Sequence, residues 1–122
     1  MRQIKFRGKD LIHKEWIYGG IANDTKGNTV ILPKEDWSKG GCVDDNTVGQ
    51  FTGVYDKNNK DIYEGDIVKF SVCVADAAYE TYTAEVRYDE IAVDFYPLSE
   101  FNYCDFEVIG NIYDNPELLE EA

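Results

Sequence analysis

One histidine, one methionine and three prolines are spread over 122 residues, and each scarcity removes possibilities. A Ser-His-Asp or Cys-His arrangement would have to use His13, which lies in GKDLIHK, a stretch that reads as a hairpin connection. The only serines are Ser38, Ser71 and Ser99, and none stands in a G-x-S-x-G elbow. Cys42, Cys73 and Cys104 lack the CxxC spacing of a zinc ribbon or a dithiol redox pair. Neither a Walker loop nor a G-x-G-x-x-G turn occurs. No apolar run approaches the roughly 20 residues of a membrane-spanning helix, and MRQIKFRGKD has no apolar signal-peptide core. The expectation is a cytoplasmic protein that is not an enzyme, with no cofactor and no metal.

Basic residues are also scarce in one half. The net charge is −12, and it is unevenly placed: residues 1–60 carry ten Lys/Arg and eight Asp/Glu, whereas residues 61–122 carry two (Lys69 and Arg87) against sixteen. A phosphate-binding surface needs clustered Lys/Arg, so nucleic acid is not the expected partner. It would be met only through Arg2, Lys5, Arg7, Lys9 and Lys14. The acid excess favours solubility, or it offers a basic protein an array of carboxylates resembling phosphates.

What is present is apolar alternation. Hydrophobic residues make up 43% of the chain and aromatics 14%, enough for a core despite the charge. The dominant period is two, hence strands. Ile4 and Phe6 oppose Gln3, Lys5 and Arg7; Trp16 and Tyr18 oppose Ile17; NDTKGN turns the chain into NTVILP, which Pro33 ends. Further on, Val68, Phe70, Val72 and Val74 share a face, as do Tyr82, Ala84, Val86 and Tyr88. Asp89-Glu90 serves as a tight turn into Ile91, Val93 and Phe95, and Phe106, Val108 and Ile112 close the set. Only NPELLEEA reads as a helix, with Asn115 as N-cap and Pro116 in the first turn. The pattern predicts an all-β fold of short antiparallel strands. An N-terminal β subdomain with a long polar loop spans residues 1–47, and an SH3-like barrel with a short helix spans 48–122.

The acid-rich stretch DKNNKDIYEGDIVKF, residues 56–70, tests as a metal loop first. A calcium loop beginning at Asp56 has Asn58 at position 3, but Lys60, Asp61 and Ile67 stand at positions 5, 6 and 12, where it needs an oxygen ligand, glycine and glutamate. A hairpin fits better, with Asn58-Asn59 as a type I′ tip. Gly65 then supplies an unusual backbone angle, and Asp66 bonds a neighbouring N–H.

QFTGVYDKNNKDIYEGDIVKF and CDFEVIGNIYDNPELL, preceded by MRQIKFRGKD and EWIYG, resemble the YopX family over nearly the whole chain. The resemblance implies a small β-rich protein of phage or prophage origin and carries over no catalytic residue. A partner-binding surface is sought in two places. Asp61, Glu64 and Asp66 crowd one acidic rim, and Trp16, Tyr18 and Trp37 are aromatic anchors of the less acidic half. The expected role is a protein-binding or self-assembling module. The alternatives are an acidic mimic of nucleic acid and a nucleic-acid-binding barrel.

Overall fold

The alternating segments become strands, eleven among the described residues, joined by hairpins that share one device. In four hairpins an aspartate opens the loop and its carboxylate accepts N–H groups of the loop. Asp10 accepts from Ile12 and His13, Asp24 from Lys26 and Asn28, Asp56 from Asn58 and Lys60, and Asp89 from Ile91 and Ala92. Each loop closes on a left-handed residue: Lys14, Gly27, Asn59 and Val93 have φ of 59°, 84°, 66° and 55°. Aspartate suits the first position because its short carboxylate reaches the backbone two residues on.

The computed structural model describes residues 3–102 and 104–120, and it divides into two units, Met1–Gly53 and Val54–Ala122. The first unit holds β1 (Phe6–Lys9), β2 (Trp16–Asn23), β3 (Thr29–Leu32), β4 (Gly41–Cys42) and the start of β5 (Gly49–Tyr55). They lie in the order β4-β3-β2-β1-β5, antiparallel. Pro33 ends β3 as expected, and the polar stretch after it winds into two 3-10 turns, Trp37–Lys39 and Asp45–Thr47. Ile31, Val43 and Phe51 are buried. Arg7 departs from its expected wet face: it is buried, with its guanidinium 4.5 Å from the centre of the Trp16 ring. Ile4, expected inward, is exposed.

The second unit holds the end of β5, then β6 (Asp61–Tyr63), β7 (Asp66–Ala75), β8 (Ala78–Glu85), β9 (Arg87–Asp89), β10 (Asp94–Tyr96), β11 (Glu107–Asn111) and helix α1 (Glu117–Glu120). One antiparallel sheet has the order β11-β7-β8, and β9 pairs with β10 alone. Ile62, Val68, Phe70, Val86, Leu98 and Phe106 form its core. Full burial of side chains of this size stabilises by about 1.5–3 kcal/mol each. Phe70 is central, with ring centres of Phe101 and Phe106 at 5.1 and 5.0 Å.

Four expectations need correction. No ladder among the described residues closes these strands into a barrel. Val86 spends its backbone groups on Asp66 and Gly65 between β8 and β9, and β10 stops before Pro97, which has no N–H to donate. Ile91 and Val93 do not face inward, since both sit in the exposed four-residue loop 90–93. That loop replaces the tight Asp89-Glu90 turn. The tip at residues 57–59 is not type I′ either: three residues separate Asp56 from Lys60, whose carbonyl accepts the Asp56 N–H, and only Asn59 is left-handed. The expected short helix is present as Glu117–Glu120, while the end of its predicted segment, residues 121–122, lies outside the described residues, as does Arg2.

Candidate interaction surface

Asp56 and Asp66 place most of the acid-rich stretch in the framework. Asp56 is 6% exposed and its two carboxylate oxygens accept three backbone N–H groups. Asn58 and Lys60 donate to one at 2.8 and 2.9 Å, and Val108 donates to the other at 3.0 Å. One side chain therefore shapes the hairpin tip and ties it to β11. Burial pushes this carboxyl up, but the N–H groups of Val108, Lys60 and Asn58 outweigh it, so its pKa lies below the ordinary value. Asp66 is 2% exposed and accepts the Tyr63 N–H at 2.8 Å across the Glu64-Gly65 turn. Gly65 has φ +90°, and a Cβ there would lie 2.9 Å from Cε2 of Tyr113. Its N–H bonds Val86 and its carbonyl accepts from Ile112. Asp61 and Glu64 are half-buried on β6 and in that turn. No group of three or more His, Cys, Asp or Glu among the described residues is arranged to hold a metal ion.

The aromatic candidates of the first unit divide. Trp16 and Tyr18 lie two apart on β2, opposite Lys9 and Arg7. Lys9 and Arg7 both stack over Trp16, at 5.5 and 4.5 Å, and Lys5 stacks over Phe51 at 4.6 Å. These contacts hold the cations against rings of their own sheet. Trp37 is apart from them on the first 3-10 turn and is 72% exposed. His13 lies in the first hairpin loop, its Nδ1 3.5 Å from Asp10.

A surface the sequence reading missed lies in the second unit, where β7 outruns β11. β7 has ten residues, but β11 faces only Asp66–Lys69, while β8 follows β7 to Ala75. Beyond Lys69 a cleft of about 560 Å3 opens beside β7, with Phe70 and Tyr79 among its apolar walls and Asp105 and Glu107 among its charged ones. Lys57 lies 3.8 Å from Glu107. The Cys104 thiol donates to the Ser71 carbonyl at 3.3 Å. Burial pushes that thiol up, and the Asp105 charge adds to the effect, so at neutral pH it stays protonated and poorly nucleophilic. The length mismatch was the available signal: alternation runs from Val68 to Val74, whereas the facing segment holds fewer residues.

No helix among the described residues is long and apolar enough to cross a membrane. The described residues form a two-unit antiparallel β protein with one short α-helix. The family model described as YopX protein matches residues 5–120, and the chain belongs to the YopX family. Its structure resembles the crystal structure of protein EF1440 from Enterococcus faecalis, with a TM-score of 0.62 and 25% identity over 98% of this chain and 99% of that one. No curated protein matches the chain.

Proposed function

We propose that this protein is a non-catalytic module of phage or prophage origin that acts in the host cytoplasm by binding another protein or by assembling with itself. The observation that carries the reading is the outer half of the β7–β8 hairpin. Residues 73–82 are exposed on both faces of the ladder, yet Val74, Tyr79 and Tyr82 are among them, with Val74 51% and Tyr79 68% accessible. Apolar and aromatic groups held on an ordered, wet hairpin mark a contact surface. The loop aspartates support the same reading, because their oxygens are committed to backbone N–H groups. Static light scattering together with affinity capture from the host bacterium tests it. The expected result is a defined partner or a defined oligomer; a strict monomer that retains nothing contradicts it.

The sixteen acids against two bases in residues 61–122 favour a second reading, a mimic of nucleic acid that occupies a basic host protein. Such binding weakens steeply as salt shortens the range of the charges. A complex indifferent to salt contradicts it. Direct nucleic-acid binding has less support, since Lys5, Arg7 and Lys9 lie against aromatic rings and Arg7 is buried.

A further inference from the structure

We infer that the open edge of β7 beyond Lys69 accepts an extended, basic peptide segment of a partner protein as an added strand. The inference rests on the interaction reading above and names its site and the chemistry of its partner. Hydrogen-bonded and non-bonded pairs alternate along an antiparallel ladder. Val86 donates to the Asp66 carbonyl at 2.8 Å, so Val68, Phe70 and Val72 direct their backbone groups at β8. Ser71 and Cys73 therefore direct theirs the other way, where β11 has already ended. On that side the Ser71 carbonyl is met by the thiol of Cys104. A thiol is a weak donor, and a strand N–H is a better one. The cleft beside this edge, about 560 Å3, falls within the roughly 300–1,000 Å3 usual for ligand clefts. Tyr79, 68% exposed, supplies an apolar wall for a side chain of the added strand, whereas Phe70, which also borders the cleft, is 4% exposed and belongs to the core.

Charge selects the occupant. Asp105 and Glu107 line the cleft together with Lys57 and Lys69, and the bias comes from the chain around it: residues 61–122 have sixteen acids against two bases. Of the two lysines that line the cleft, Lys57 is already 3.8 Å from Glu107. A second copy would bring the same excess of carboxylates against its own kind, and a nucleic acid would bring phosphates. A cationic strand meets neither repulsion.

Fluorescence anisotropy on the full chain tests this with a labelled peptide of alternating Lys and Val. Its controls are a Glu-for-Lys analogue and an analogue N-methylated at alternate backbone nitrogens, and amide NMR locates the site. The Lys/Val peptide is expected to bind saturably and to shift the amides of residues 71–73 and 104–107. Both analogues are expected to lose at least tenfold in affinity. Asp105→Lys, an exposed change whose fold is checked by circular dichroism, is expected to weaken binding about fivefold. Equal binding of the N-methylated peptide, or shifts confined to other residues, overturns the inference. So does pairing of this edge with itself, seen as concentration-dependent shifts without peptide. A captured partner unaffected by Asp105→Lys, with no peptide binding, sinks the strand-acceptor edge and leaves the interaction reading standing. A monomer that captures nothing and binds no peptide sinks both.

Discussion

At the scale of single residues, Asp56 and Gly65 show how the acid-rich stretch is used. Asp10, Asp24 and Asp56 all have carboxyls held below their ordinary range. Loop N–H groups, led by His13 for Asp10 and by Asn28 for Asp24, lower the first two; in Asp56 three N–H groups overcome burial. The folded pKa is depressed, so the stabilisation is fully present above the unfolded value of about 3.9 and is lost as pH falls through the folded one. Asp56→Asn should flatten the pH dependence of urea unfolding below about pH 4 and cost about 2 kcal/mol at pH 7. An unchanged acid limb would refute the role given to Asp56. Gly65→Ala combines a left-handed φ of +90° with a Cβ 2.9 Å from the Tyr113 ring. A loss of about 2 kcal/mol or more is expected in the same assay, from backbone strain and a displaced ring.

At the scale of elements, hairpins set the architecture and the β7–β8 arm sets the surface. Ala77 turns this arm with φ 58°, a conformation that costs a residue with a Cβ about 1–2 kcal/mol. Ala77→Gly removes that cost and adds some chain entropy to the unfolded state, for a net gain of about 0.5 kcal/mol. Slower amide exchange in residues 72–81 is the readout; faster exchange would contradict the turn. This arm also shows what was legible in the sequence. Val68, Phe70 and Val72 announced the buried face of β7, because alternation reports a face directly. Asp66 and Gly65 announced their turn, because their chemistry has few other uses. The loop around Ile91 and Val93 misled, since two apolar residues at strand spacing were placed by the Asp89 carboxylate instead. Arg7 misled in the opposite direction, because its Trp16 partner lies on another strand. The cleft beside β7 depends on where two distant strands stop, and strand ends are written only faintly in local sequence.

At the scale of the whole molecule, a net charge of −12 governs behaviour in solution. Self-repulsion among the acids opposes folding and weakens as salt screens it. The melting temperature should therefore rise with added sodium chloride at pH 7. A flat or falling response would show that the acids stabilise one another's surroundings rather than repel. The central claim is that the carboxylates around Asp56 and Asp66 shape backbone and hold no ion. Its most direct test is the melting temperature of the full chain in calcium chloride and in sodium chloride at matched ionic strength. Coincidence of the two curves within about 2 °C is predicted, because screening depends on ionic strength and a site-bound ion adds its own stabilisation. A calcium-specific rise that disappears in Asp61→Asn or Glu64→Gln would contradict the account.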